Sequence, residues 1–409
     1  MKRLKTFLVS GARPNFMKIA PLLKEMKRYA DYFDPLIIHT GQHYDYALSE
    51  VFFKDLELPS PDIYLGIGSG THSEQTGKIM IEFEKLLLKD TPDLVVVVGD
   101  VNSTIACALA TIKYRCTIKG SRNTPPPLKT LLPRDVKSTI NSLDYPLIVH
   151  IEAGLRSFDR TMPEEVNRVL TDAISDMLFT PSPDADENLL KEGIAKEKIY
   201  LVGDIMVDSL LANKDNAQKS DILNRLGLKE YAVLTLHRPS NVDAKDTLLK
   251  LLTPLKEVAQ KIPIVYPAHP RTHKKIIEFG LSDYFIKWNG DPISQNGLYL
   301  LEPLGYLDFL SLEMRASFVL TDSGGIQEET TVLDIPCLTL RNTTERPITV
   351  TLGTNILVWN DYKSIILEAD KILTGERKRY QGYKLWDGKT AQRIVKIMLE
   401  QLIPITEHR

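Results

Sequence analysis

Residues 93–100 read DLVVVVGD, with an unbroken apolar run from Leu94 to Val98. A strand with one face in water alternates apolar and polar side chains. A strand covered on both faces of a parallel sheet does not. The run is short, rich in β-branched residues, and closed by Gly99 and Asp100. It reads as a central strand of an α/β sheet. An acid directly after such a strand lies at the carboxyl edge of the sheet, where open α/β folds bind ligands.

Runs of the same kind flank this one: Thr6–Ser10, Pro35–His39, Leu147–Glu152, Met177–Pro181 and Ile199–Gly203. Helical spacing fills Met17–Tyr29 and Glu74–Leu88 between them. A second series follows at Ala232–Leu236, Ile264–Ala268, Leu298–Leu301, Phe318–Thr321, Cys337–Leu340 and Asn355–Val358. The expectation is α/β, with two doubly wound Rossmann-like domains facing across a cleft. Residues 1–207 form the first and 208–385 the second, with Asp208–Leu226 as the link. Residues 386–409 carry an amphipathic helix, Ala391–Leu402, that returns to the first domain. A chain of 409 residues suits two cores better than one. Residues 113–145 do not fit the strand–helix alternation. They contain Pro125-Pro126-Pro127 and several Lys and Arg, and read as a surface excursion or as a regulatory or subunit-contact element.

A formal charge of −2 gives no electrostatic reason to expect nucleic acid or an anionic membrane as partner, so any anion must be held by local constellations. No apolar stretch approaches the roughly 20 residues of a bilayer span. The run after the amino-terminal basic residues is too short for a signal-peptide core. Three cysteines, Cys107, Cys116 and Cys337, fit neither a zinc pattern nor a disulfide scaffold, and indicate a reducing, cytoplasmic setting. No H-E-x-x-H, G-x-S-x-G, Walker loop or G-x-G-x-x-G with its acid is present. Metal, serine-hydrolase and dinucleotide chemistry are therefore not expected, and no cofactor is called for.

Several loops at strand ends can carry chemistry. In Gly11–Lys18 a strand passes into a helix whose free N–H groups, with Arg13 and Lys18, attract anions. Thr321–Glu329 repeats that arrangement with Ser323, Gly324 and Gly325 at the turn and a carboxylate, Glu328 or Glu329, suited to a sugar diol. Arg346 in Arg341–Pro347 can clamp a phosphate. Asp100, Glu152 and Glu164 are acids at or near strand ends, placed for general acid or base work. His237 and Arg238 open the loop after Ala232–Leu236, where His237 can donate to a phosphate or shuttle protons as a catalytic residue, and His43 and His269 sit in similar loops.

These stretches occur in one order: GARPNFMKIAPL, HTGQHYD, GDVNST, HIEAGLRS, MPEEVNRVLTDAISD, VGDIMVDSL, HRPSNV, YPAHPRT, LGYLDFLSL, TDSGGIQEE and NTTERP. Together they resemble the non-hydrolysing UDP-N-acetylglucosamine 2-epimerases over nearly the whole chain. The resemblance implies a fold like the GT-B glycosyltransferases, with UDP held mainly by the second domain. It also implies interconversion of UDP-N-acetylglucosamine and UDP-N-acetylmannosamine by loss and re-addition of UDP, in a homodimer. By matching position, Arg13, Lys18 and His237 approach the diphosphate. Ser323 and Gly324 bind phosphate, Glu329 the ribose hydroxyls, and Arg346 matches the arginine after the family's TTE. Asp100, Glu152 and Glu164 match the acid/base carboxylates, without the base being distinguished, and Arg168 orients one of them. Gln42, His43, Arg238, His269 and Gly325 complete the set of candidate substrate contacts.

The chain departs from the family in three places. Pro239-Ser240-Asn241 follows Arg238 where a Glu is usual. Asp45 stands where a Gln serves an activating second UDP-sugar. The spacer between Asp100 and Glu152 is longer than usual. The competing readings are a hydrolysing epimerase, a C2 epimerase of a modified sugar such as a diacetamido-glucuronate, a GT-B glycosyltransferase and a non-catalytic UDP-sugar sensor.

Overall fold

Among the described residues fourteen strands fall into two sheets, and every pairing in both is parallel. They are seen in a computed structural model that describes residues 3–42, 53, 55–119, 145–359 and 361–403. The first sheet holds β1 (Leu4–Ser10), β2 (Phe33–His39), β3 (Ile63–Tyr64), β4 (Leu94–Val98), β5 (Leu147–Ile151), β6 (Met177–Thr180) and β7 (Ile199–Leu201). Its order is β3-β2-β1-β4-β5-β6-β7. The second holds β8 (Ala232–Thr235), β9 (Ile264–Pro267), β10 (Ile286–Lys287), β11 (Leu298–Leu301), β12 (Phe318–Thr321), β13 (Cys337–Thr339) and β14 (Asn355–Leu357), ordered β10-β11-β9-β8-β12-β13-β14.

Both orders are doubly wound. In the first sheet the chain moves outward from β1 through β2 and β3, then returns to β4 on the other side of β1. In the second it moves outward from β8 and returns at β12. The switch points therefore lie between β1 and β4 and between β8 and β12. There the loops at the carboxyl edge diverge and leave a crevice.

Burial on both faces explains the unbroken apolar runs. Leu94 to Val98 are all within 1% of full burial. Val95 and Val97 pack with Phe7, Val9, Ile79, Phe83 and Leu87, the last three from the helix His72–Lys89. In the second sheet Leu234, Phe318 and Leu320 meet Leu248, Leu251, Leu252, Leu255 and Val258 of the helix Lys245–Val258, whose spacing is that of one helix face. Val233, Val265 and Val319 join a separate cluster with Leu226, Tyr231 and Leu312.

The chain divides into Met1–Ser209 with Leu385–Arg409, and Leu210–Lys384. The helix Ile205–Ala217 runs through the division. In the first unit the helix Thr390–Leu402 packs on the helix Arg13–Arg28. The Asp208 carboxylate caps it by accepting the N–H groups of Thr390 at 3.0 Å and Ala391 at 2.8 Å.

The excursion read from Lys113 begins later. Helix continues from Asn102 to Lys119, and Arg115 is buried, donating to the Pro146 carbonyl at 2.6 Å and pairing with Asp176. Helical propensity and this buried ion pair override the basic character of the segment. Residues 120–144, and with them most of the excursion, lie outside the described residues, as do His43 and Asp45. Among the described residues no helix is long and apolar enough to cross a membrane.

Candidate functional site

In the first unit the side chains gather at the switch point between β1 and β4. Asn15 fixes it. Its Oδ1 accepts the N–H groups of Gly11 and Ala12, both at 3.0 Å, while its Nδ2 donates to the Val98 carbonyl at 3.1 Å. One buried amide thus ties the loop after β1 to the end of β4. One turn further along the helix Arg13–Arg28, Lys18 pairs with Glu152 after β5, and both are about 5% exposed. Gly99, at φ +64°, lies beside this pair; a Cβ there would stand 2.8 Å from Lys18 Nζ. The left-handed backbone favours glycine, and a Cβ there would displace the Lys18 ammonium from its place beside Glu152. Glu152 itself has φ +70°. For a residue with a Cβ that conformation costs on the order of 1 kcal/mol, and such strain concentrates at functional sites. Its N–H and that of Ala153 donate to the Phe179 carbonyl at 3.0 Å, which holds the strained turn in place.

Asp100 is reached from the helix Pro163–Ile174. Arg168, 2% exposed, pairs with the Asp100 carboxylate and, at 2.7 Å, with Glu165. Asn167 Nδ2 donates to the Asp100 carbonyl at 2.9 Å. Glu165, not among the sequence candidates, is buried and accepts the N–H groups of Ser157 at 3.0 Å and Phe158 at 2.9 Å. Burial opposes its charge, but the Ser157 N–H and then Arg168 outweigh that and hold the carboxyl below its usual range. Glu164, its neighbour, is only half-buried. Arg13 is half-buried at the start of its helix. Gln42 is turned to Ser103, accepting its N–H at 3.0 Å and its hydroxyl at 2.7 Å.

In the second unit the switch point between β8 and β12 is bridged by Asp322. This fully buried carboxylate accepts the His237 N–H at 3.1 Å, the Arg238 N–H at 2.9 Å and Asn241 Nδ2 at 3.1 Å, and lies 3.0 Å from His237 Nδ1. Burial disfavours its charge, but His237 and then the Arg238 N–H outweigh that and hold the carboxyl at about 2.

The helix Gly324–Leu333 starts directly after Ser323, whose side chain makes no capping bond. Its first N–H groups give the positive end of a helix dipole. Three guanidiniums share the Glu345 carboxylate near this end: Arg341 at 2.6 Å, Arg346 at 2.7 Å and Arg238 at 3.4 Å. Arg346 also pairs with Glu328. Gly324 is required by close approach, since a Cβ would lie 2.7 Å from Glu345 Oε1. Gly325 follows in the first turn of the helix.

Glu329 accepts from the Tyr306 hydroxyl at 3.2 Å. Beside it Glu313 is fully buried, and burial and then the neighbouring Glu329 push the Glu313 carboxyl well above its usual range. His269 caps the helix Pro270–Glu278 by accepting the Arg271 N–H at 3.3 Å. Asp322, Glu345, Asn15 and Glu165 are the positioning residues that sequence reasoning did not select. All four lie in quoted motifs, but only the fold shows that they bridge neighbouring loops. Among the described residues no cluster of His, Cys, Asp or Glu is arranged to hold a metal ion.

These features define a protein of two doubly wound α/β units, each with a charged constellation at its own switch point. The chain belongs to the UDP-N-acetylglucosamine 2-epimerase family, whose model matches residues 24–119 and 143–399. It is 40% identical over 402 residues to the UDP-N-acetylglucosamine 2-epimerase of Methanocaldococcus jannaschii, covering 97% of this chain and 99% of that one. It is 36% identical over 401 residues to the UDP-2,3-diacetamido-2,3-dideoxy-D-glucuronate 2-epimerase of Pseudomonas aeruginosa, with coverage of 97% and 99%. Among solved structures, the crystal structure of the Methanocaldococcus jannaschii UDP-GlcNAc 2-epimerase in complex with UDP-GlcNAc and UDP matches with a TM-score of 0.81 at 40% identity. The match covers 97% of this chain and all of that one.

Proposed function

We propose that this protein is a non-hydrolysing UDP-N-acetylglucosamine 2-epimerase that interconverts UDP-N-acetylglucosamine and UDP-N-acetylmannosamine. The observation that carries the reading is 40% identity, over 97% of this chain, to a UDP-N-acetylglucosamine 2-epimerase. The arrangement of acids and arginines described above supports it.

The chemistry constrains the mechanism. The C2 hydrogen has only an amide nitrogen and the anomeric carbon as neighbours, so it is not acidic. It leaves only if the C1–O bond to UDP breaks as well. The C2–H electron pair then forms the C1=C2 bond of a 2-acetamidoglucal, UDP departs with the C1–O pair, and a carboxylate takes the proton. UDP adds back at C1 while a proton returns to the opposite face of C2.

Charge builds on the departing diphosphate, so its stabilisation is the main electrostatic task. Arg346, His237, Arg238, Ser323 and the N–H groups at Gly324 and Gly325 are suited to it in the second unit, with Glu329 toward the ribose. Asp100, Glu152 and Glu164 in the first unit are the proton donors and acceptors, with Arg168 holding Asp100. Arg13 and Lys18 supply further positive charge. The reading includes a cytoplasmic homodimer. The three cysteines are free, and two of them are buried, in keeping with a reducing compartment.

The test is a proton NMR time course with UDP-N-acetylglucosamine in deuterated water. UDP-N-acetylmannosamine deuterated at C2 is the expected product. Free sugar plus UDP would instead mark a hydrolysing enzyme. The likeness to the Pseudomonas aeruginosa relative favours a second reading, C2 epimerisation of a diacetamido-glucuronate carried by UDP. Exchange with that sugar and none with UDP-N-acetylglucosamine would establish it.

A further inference from the structure

A histidine that the reaction above does not use lies beneath the Gly99–Asp100 turn. His150 is on β5, two residues before Glu152, and is fully buried. Its Nε2 is 2.8 Å from the Gly99 carbonyl oxygen, and its Nδ1 is 2.6 Å from Asp172 Oδ1. A carbonyl oxygen can only accept, so Nε2 donates. Asp172 also accepts the Gly154 N–H at 3.1 Å and pairs with Arg156 at 2.7 Å. Asp172 is therefore an acceptor, and Nδ1 donates too. A ring that donates from both nitrogens is an imidazolium. Its charge is balanced within the cluster, because Arg156 also pairs with Glu192 at 2.7 Å and the four groups make two cations and two anions.

We propose that His150, as an imidazolium, is a positioning residue that pins the Gly99 carbonyl and so fixes the turn presenting Asp100. Gly99 is in the left-handed conformation, and the helix Asn102–Lys119 begins three residues later. Besides the Gly99 N–H, which donates to the Ile151 carbonyl at 3.0 Å, three contacts tie the turn to the helix Pro163–Ile174. Arg168 takes the Asp100 carboxylate, Asn167 takes the Asp100 carbonyl, and Asp172 reaches Gly99 through His150. A neutral ring would set a bare nitrogen against an acceptor on one side and release the turn there. The inference rests on the reading of Asp100 as a proton-transfer group.

Two measurements test it on the full chain. The first is a nitrogen-15 correlation spectrum of the histidine side chains near neutral pH, with His150 assigned from the signals missing in His150→Gln. Both of its ring nitrogens are expected to carry protons; one bare nitrogen overturns the proposal. The second is turnover. His150→Phe removes both donors and is expected to lower kcat about a hundredfold, as small misplacements of reacting groups do, with UDP affinity unchanged. His150→Gln keeps a donor for the Gly99 carbonyl and is expected to recover part of the loss. Should His150→Phe fail to fold, the spectrum and the glutamine variant still decide. Full activity in either variant, or equal losses in kcat and UDP affinity, overturns the role. If the unaltered protein exchanges no C2 proton of any UDP-sugar, the acid–base reading itself falls, and the role of His150 with it.

Discussion

The Asp322 carboxylate at the end of β12 receives the backbone N–H of His237 through both of its oxygens at 3.1 Å. The bond joins the loops on either side of the second unit's switch point, and it fixes the backbone from which His237 and Arg238 project. Asp322 is fully buried, with its carboxyl depressed to about 2, so it adds stability that is complete above the unfolded carboxyl's range and is lost as pH falls toward 2. A depression of nearly two units corresponds to about 2 kcal/mol. Asp322→Asn is expected to lower unfolding free energy by about that amount at pH 7. Its deficit should shrink between pH 4 and pH 2, as read from urea unfolding at each pH. A deficit that does not change with pH would refute the electrostatic account.

Arg346 and Asp100 separate binding from chemistry. Arg346 meets Glu328 and Glu345 beside the start of the helix Gly324–Leu333, where an anion is favoured. Arg346→Ala is expected to weaken UDP binding about tenfold to a hundredfold, the cost of one charged hydrogen-bonding group. Asp100→Asn should keep UDP affinity and lose about a hundredfold or more in turnover, the contribution of a positioned acid or base. Calorimetry with UDP on the folded variants checks both. A large affinity loss in Asp100→Asn with none in Arg346→Ala would reverse the two assignments.

Glu313 makes the opposite case to Asp322. Burial and the adjacent Glu329 raise its carboxyl well above the ordinary range. A folded value above the unfolded one gives stability that is complete below about pH 4 and is lost as pH rises. Glutamine keeps the shape and has no proton to lose. Glu313→Gln should therefore match the parent protein near pH 4 and exceed it in stability at pH 8, measured by urea midpoints. Lower stability than the parent at pH 8 would show that the Glu313 charge is stabilised in the fold.

The strands were legible because both faces of a parallel sheet are covered, so Leu94–Val98 and Phe318–Thr321 needed no periodicity argument. The two-residue edge strands Ile63–Tyr64 and Ile286–Lys287 were not, since such short pairings leave no pattern. Loop chemistry was legible as residue types: acids and arginines after strands mark the carboxyl edge. Which partner each group takes was not. Lys18, read as a diphosphate contact, is placed against Glu152, and Gln42 against Ser103. The left-handed backbone of Glu152 and the bridging role of Asp322 depend on strand order, which sequence patterns do not encode locally. Arg168, expected to orient an acid, does reach Asp100, because a helix places it one turn beyond Glu164 and Glu165.

Glu164 and Glu165 are adjacent in sequence and opposite in environment, and that contrast gives the last prediction. Glu165 points inward, where it holds the N–H groups of Ser157 and Phe158 and the guanidinium of Arg168. Phe158 has φ +59° and is exposed, so its turn depends on that carboxylate. Glu165→Gln offers one acceptor oxygen where the carboxylate offers two, and leaves Arg168 with a weaker counter-charge. Breaking a buried pair in this way is expected to cost about 3 kcal/mol. Turnover should fall with it, because Arg168 also grips Asp100. Glu164 is half-buried and outside this network, so Glu164→Gln should leave the urea midpoint in place and lower turnover alone if it transfers a proton. Measuring midpoint and turnover on both variants separates the residue that builds the site from the one proposed to work in it. A stability loss in Glu164→Gln as large as that in Glu165→Gln would refute the division.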